Sequence, residues 1–298
     1  MTYSLVARDP ETGDLGVAVQ SHFFSVGSIV AWAEPGIGAV ATQSFAEVSY
    51  GPRGLELMRD GRSAAGALGE LVDRDQGESA RQVAMIDSAG RVAVHTGHSC
   101  IAEAGHQVGV QMSAQANMMR RETVPRAMMQ AYTSASGDLA ERLLAALDAA
   151  EAEGGDIRGR QSAVLLVVGG RRSDTPWKER RFDLRVEDHP EPLRELRRLV
   201  GLRRAYDAVD DAEQSAMRGD LEEAARHYER ARAAAPDNLE IEFWLGLSLA
   251  GSGRVEEGRE HVRRAFAAND GWAELLRRLP AAGLMPDDPE LMRALLAD

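Results

Sequence analysis

The chain has 298 residues, 44% of them hydrophobic, enough for one large or two modest domains with their own cores. Its net charge of −12 argues against a nucleic-acid partner, since phosphate binding needs a basic surface. The single cysteine, Cys100, excludes an intramolecular disulfide framework and suits a cytoplasmic location, and no signal peptide or membrane-spanning apolar run is evident.

A strand-like pattern starts at once, in Met1-Thr2-Tyr3-Ser4-Leu5-Val6-Ala7. Chain ends normally fray, so a strand entered immediately places Thr2 where a freed amino group can do chemistry. Removal of Met1, usual before a small residue, would leave the Thr2 hydroxyl beside its own α-amine, whose reference pKa is about 7.7–8.0. Such an amine is a recognised activator of a threonine nucleophile.

Residues 3–8 and 14–20 read as strands joined by a turn at Asp9-Pro10-Glu11-Thr12-Gly13. If Ala7 faces Leu15, Thr2 falls opposite Gln20, and Thr2, Ser4, Val6, Gly16, Ala18 and Gln20 share one face. Residues 27–33 and 37–43 form a second hairpin around Glu34-Pro35-Gly36, with Ala33 opposite Ile37 and Gly27 opposite Gln43. Four strands in up-and-down order gather Thr2, Gln20, Ser21, His22, Ser28, Thr42, Gln43 and Ser44 at one edge. That polar crowd is either a site or a set of ordinary loop residues.

Further on, residues 51–73 have helical spacing in two pieces broken near Gly61, and 81–87 with 91–96 form another hairpin. Residues 107–113 read as one strand, 121–136 and 138–153 as helices, 163–168 as a strand buried on both faces, and 180–187 as a last strand. Strands, then helices, then strands predict an α+β layered domain over residues 1–190. The remaining 191–298 form a helical module. In 205–270 the pairs Gly219 and Gly253, Ala224 and Gly258, Tyr228 and Val262, and Ala231 and Ala265 are each 34 apart, the spacing of tetratricopeptide helix pairs. With 13 Arg against 20 Asp and Glu in 201–298, a protein or peptide partner would be basic. The competing role is packing or self-association, which admits a homo-oligomer.

Several residues are candidates for chemistry. Thr2 is the nucleophile of an acyl transfer, with Asn117, Gln43 or Gln20 as donors to the developing oxyanion. Asp156, Arg158 and Arg160 occupy a glycine-rich connection where arginines suit an anionic substrate; a structural pairing with Arg8 and Asp9 is the alternative. His95, His98, Cys100 and His106 form the one cluster resembling metal ligands, but their spacing matches no regular zinc site. No Walker-type loop or Rossmann fingerprint occurs, so neither a metal nor an organic cofactor is expected. Lys178 is the only lysine, which removes most lysine-based mechanisms.

The stretches Met1 to Asp9, Tyr50-Gly51-Pro52-Arg53-Gly54, His95-Thr96-Gly97, Ala104-Gly105-His106, Gln115-Ala116-Asn117-Met118 and Gly155 to Ala163 together resemble an uncharacterised bacterial family, domain of unknown function ten-twenty-eight. That family is grouped with the N-terminal-nucleophile (Ntn) hydrolases. The resemblance implies an αββα sandwich, two facing antiparallel sheets with helices outside, and the opening hairpin also looks like the start of proteasome β subunits. Two departures stand out. Gly27-Ser28-Ile29-Val30 lacks the lysine that such enzymes carry near the third strand, and Ala116 stands where the family more often has glycine. The expected activity is hydrolysis of a small-molecule amide, rather than general proteolysis, with Thr2, Asn117 and Gln43 catalytic and Gln20, Ser21, Asp156, Arg158 and Arg160 holding substrate. The alternatives are a non-catalytic ligand-binding or interaction scaffold on the same fold, and a metal-dependent hydrolase using His95, His98 and His106.

Overall fold

The computed structural model describes residues 2–297; Met1, whose removal the sequence reading invokes, lies outside them. The chain divides into two compact units, one ending at Leu199 and the next starting at Val200. In the first, a six-stranded antiparallel sheet contains β1 (Thr2–Arg8), β2 (Leu15–Ser21), β7 (Gly105–Gly109), β8 (Met112–Ala116), β9 (Ser162–Val168) and β10 (Arg180–Val186), in the order β10-β9-β2-β1-β8-β7. A four-stranded antiparallel sheet contains β3 (Ala31–Glu34), β4 (Gly38–Ser44), β5 (Arg81–Asp87) and β6 (Val92–Thr96), in that order.

The two sheets face each other because alternate residues of both are small or β-branched. Val6, Val17, Val19, Val164 and Leu166 of the larger sheet meet Ala39, Ala41, Ala84 and Ile86 of the smaller in one buried cluster. The other face of the smaller sheet, with Val40, Val83 and Met85, packs on α1 (Tyr50–Arg59) and α2 (Ala64–Val72) through Tyr50, Leu55, Met58 and Leu68. The larger sheet is covered by α3 (Val124–Ser134) and α4 (Leu139–Ala152). Gly16 lets α4 lie close, since a Cβ there would sit 2.7 Å from Leu143. The result is the four-layer αββα sandwich.

Three local expectations differ from the structure. The first hairpin pairs Ala7 with Gly16 and Thr2 with Ser21, one residue away from the expected register. Four residues, Pro10 to Gly13, separate the facing Asp9 and Asp14, whose backbones are bonded at 2.8 Å, and Gly13 supplies a left-handed φ of +81°. A one-residue slip reverses every side chain, so Gln20 leaves the Thr2 face. The third strand begins at Ala31, because Val26–Ser28 form a 3-10 turn and Gly27 packs on Val164 rather than pairing with Gln43. Residues 107–113 are not one strand: Val110 and Gln111, the latter at φ +58°, turn the chain between β7 and β8. A glutamine in that conformation gives no local signal of the kind glycine or asparagine gives.

A helix α5 (Pro192–Met217) precedes α6 (Leu221–Ala234), α7 (Leu239–Gly251), α8 (Val255–Ala268), α9 (Gly271–Arg278) and α10 (Pro289–Leu296). Six of the eight expected repeat positions are buried, Ala224, Tyr228 and Ala231 in α6 and Gly258, Val262 and Ala265 in α8, whereas Gly219 and Gly253 are exposed in left-handed turns. A Cβ on Gly258 would lie 2.4 Å from the Gly246 carbonyl, so α7 and α8 pack backbone to backbone. Among the described residues no helix is long and apolar enough to cross a membrane.

Two glycines separate backbone strain from crowding. Gly36, at φ +64°, leaves a Cβ only 2.2 Å from the Arg172 amide, whereas Gly61, at φ +95°, has nothing within 4 Å. Gly61→Ala is expected to cost about 1–2 kcal/mol for the left-handed backbone alone; Gly36→Ala adds about 1–3 kcal/mol of overpacking. Urea unfolding of the two variants measures the difference, and equal losses would contradict this account of the turn.

Candidate functional site

The apolar filling between the sheets gives way to polar side chains at one end. Along β1 the inward positions are Thr2, Ser4 and Val6; along β2, Ser21, Val19 and Val17; along β4 and β5, Gln43 and Gln82 oppose each other just beyond Ala41 and Ala84. Thr2, Ser4, Ser21, Gln43, Gln82, Gln115 and Asn117 are all nearly or fully buried. Burying so many polar groups is costly unless each is bonded, and all but one of their side-chain polar atoms find a partner, the exception being Asn117 Oδ1.

The bonds run in one direction. Ser113 donates to Gln115 Oε1 at 3.0 Å, Gln115 Nε2 to Ser4 Oγ at 2.6 Å, and Ser4 to Gln43 Oε1 at 2.6 Å. Gln82 Nε2 donates to Thr96 Oγ1, Gly105 O and Ala116 O at 3.0, 3.1 and 2.9 Å. Two of these oxygens are carbonyls, which only accept, so the amide cannot be turned over. Gln82 Oε1 is thereby the acceptor for Gln43 Nε2 at 2.7 Å and Asn117 Nδ2 at 2.9 Å. Those same two amides reach the Thr2 carbonyl at 3.2 and 3.4 Å, and the Asn117 backbone N–H reaches it at 3.1 Å. Three donors thus converge on one carbonyl and fix Thr2. Its hydroxyl is free to project elsewhere, and donates to Ser21 Oγ at 3.1 Å.

Thr2 lines a cleft of about 390 Å³ together with Gln43, Ser44, Phe23, Phe45 and Arg81. Ser44 ends β4 with φ +72°, a left-handed backbone uncommon for a residue with a side chain, and its hydroxyl is buried with no hydrogen-bond partner. Arg81 bonds Asp75 through Nε at 2.9 Å and the Phe45 carbonyl through Nη1 at 2.6 Å. The guanidinium in turn holds the Asp75 carboxyl below the usual carboxylate range. Beyond Gln82, Thr96 Oγ1 meets His106 Nδ1 at 2.9 Å, and burial lowers the pKa of that imidazole.

Of the residues expected at the site, Thr2, Ser21, Gln43, Ser44 and Asn117 come together. The others do not. Gln20, opposite Tyr3, faces the helix layer, and both its amide atoms are buried without a partner. The Asp156 carboxylate is taken up by Arg158 at 2.7 Å and by the backbone amide of His22 at 3.2 Å. Arg160 lies in a separate hollow with Glu151 and Glu191. Arg8 bonds Gln111 and Asp9 lies near Arg142, so neither serves Asp156. Ser28 and Thr42 bond local carbonyls, of Ser25 and Glu47. The histidine cluster disperses: His95 faces Glu78, His106 faces Thr96, and Cys100 faces the Arg81 carbonyl. Among the described residues no three His, Cys, Asp or Glu side chains gather to hold a metal ion.

The sequence reading missed Gln82, Arg81 and the pair Phe23 and Phe45. Gln82 had a signal, a polar residue on the inward face of β5 in register with Ala84 and Ile86. The phenylalanines had none, because they join the cleft from separate loops.

The family of unknown function DUF1028 matches residues 2–196. A tetratricopeptide repeat family matches residues 216–282. No curated protein matches the chain. A crystal structure of a DUF1028 protein from Silicibacter pomeroyi is 32% identical with a TM-score of 0.60, over 66% of this chain and 84% of that one. With its two-sheet unit matched nearly end to end and a helical repeat after it, the chain belongs to the DUF1028 family and carries tetratricopeptide-type repeats.

Proposed function

We propose that the first unit is an Ntn-type amidohydrolase acting on a small-molecule amide, with Thr2 as nucleophile. One observation carries this reading: Thr2 has its carbonyl held by three N–H groups and is itself one of the residues that line the cleft. Cleavage of the Met1–Thr2 bond would free the α-amine. That amine takes the Oγ1 proton as Oγ1 attacks the substrate carbonyl carbon. The tetrahedral intermediate collapses as the leaving amine takes the proton, leaving an ester on Thr2. Water, deprotonated by the same amine, then releases the acid.

The resemblance-based roles of Gln43 and Asn117 change in this mechanism. Their N–H groups are spent on Gln82 and on Thr2 itself, so they position the nucleophile. Ser21 accepts from the Thr2 hydroxyl, and Ser44 has an unspent O–H donor beside the cleft for the developing oxyanion.

The test is hydrolysis of a panel of neutral acyl p-nitroanilides by the processed protein. Thr2→Ala is expected to lower kcat by about 10³-fold or more and Thr2→Ser to retain turnover. Because the amine must be unprotonated, the rate should rise with pH and level off above about 8. Equal turnover by Thr2→Ala would remove Thr2 as the nucleophile, and no turnover by the wild type would leave the alternative of a binding scaffold on the same fold. Ser44→Ala is expected to lower kcat by about 10–10³-fold with KM little changed; a change in KM alone would place Ser44 in ground-state binding.

The repeats suggest protein interaction, and we propose a basic, amphipathic peptide as the partner of this second unit. A hollow of about 1010 Å³ there combines Met217, Trp244, Leu247 and Leu284 with Glu213 and Glu290. A helical Arg/Leu peptide should bind the full chain and weaken with added salt, while its Glu/Leu counterpart should not bind. Equal binding of the two would contradict the assignment.

A further inference from the structure

The cleft beside Thr2 is unusual for what it leaves uncovered. The chain has only six phenylalanines, and three of them, Phe23, Phe24 and Phe45, are exposed, at 49%, 62% and 54%. Two of these three line the cleft, above an apolar wall of Val26, Ile29 and Val30. Aromatic side chains are the residues that gain most from burial, and a half-exposed pair facing one hollow marks a binding surface. A volume of about 390 Å³ falls at the small end of ligand pockets.

Among the described residues, the one cationic side chain that lines the cleft, Arg81, does not offer its charge. Arg81 is matched by Asp75 at 2.9 Å and saturated further by the Phe45 carbonyl, and Glu47 adds a second negative field upon it. An anionic ligand would therefore meet an ion pair already made, and would have to break it or lie against a locally negative surface. An apolar group meets two aromatic faces and an aliphatic wall.

Resting on the hydrolase reading for its reaction, we infer that the cleft selects an uncharged, apolar acyl group, aryl or branched alkyl, seated between Phe23 and Phe45. The carbonyl at its end then lies toward Thr2. The hydrophobic wall sets which amide is taken, and the polar end of the sandwich sets what is done to it.

Binding tests this separately from turnover. Calorimetry on the full chain would compare phenylacetamide, acetamide and the anion succinamate, for the wild type and for Phe23→Ala and Phe45→Ala. Both substitutions are at exposed positions, and unchanged melting confirms that the variants fold. Phenylacetamide is expected to bind about tenfold or more tighter than either other amide, and each variant to lose about three- to tenfold of that affinity. Succinamate binding as tightly as phenylacetamide, phenylacetamide affinity unchanged in both variants, or no binding of phenylacetamide would overturn the inference. Tight phenylacetamide binding without hydrolysis supports it while removing the hydrolase reading. Preferred hydrolysis of succinamate does the reverse.

Discussion

The carbonyl of Thr2 is the point on which this structure turns. Two facing sheets would ordinarily meet through apolar side chains along their whole length, and here they do so only as far as Val6, Ala41 and Ala84. Beyond that, Gln43 and Gln82 from one sheet and Ser4, Gln115 and Asn117 from the other knit the layers with amide hydrogen bonds. Leaving one such buried group unsatisfied costs about 1–3 kcal/mol, so the network holds together or fails as a unit. Its net effect is to fix the backbone at the beginning of β1.

That clamp is what the proposed chemistry asks of the architecture. A nucleophile must be held within a fraction of an ångström of its working geometry by groups that are themselves fixed. The Gln82 amide, pinned by Thr96 and two carbonyls, orients Gln43 and Asn117, and these orient Thr2. Nearby, Ser44 keeps an uncommon backbone conformation and an unpaired hydroxyl. Strain and an unsatisfied donor at one cleft fit the pattern of a working site better than that of a packed core.

Much of this was legible in the residues. The apolar run at 163–168, the break at Gly61 and the 34-residue repeat each had a clear periodic or turn signal, and the corresponding β9, the α1–α2 junction and α6 with α8 are where those signals put them. The site was read less well, for physical reasons. Strand pairing has a period of two, so a single extra residue in the loop after Asp9 moved Gln20 out of the site and Ser21 into line with Thr2. The four opening strands also divide between two sheets rather than lying in one, and the polar end is therefore assembled across the sandwich. No local pattern reports which side chains of one sheet will meet those of another. Asp156, Arg158 and Arg160 looked like a binding loop because arginines and glycines cluster there, yet the carboxylate is occupied by its own neighbour.

The central claim is that Thr2 is a nucleophile whose amine is set free. It is tested most directly by the mass of the amino-terminal peptide after treatment with an electrophilic β-lactone. The account requires a peptide that begins at Thr2 and carries one equivalent of the acyl group on that residue, with none on the Thr2→Ala variant. An amino-terminal peptide that still includes Met1, or that is left unmodified by the lactone while other residues react, would contradict it.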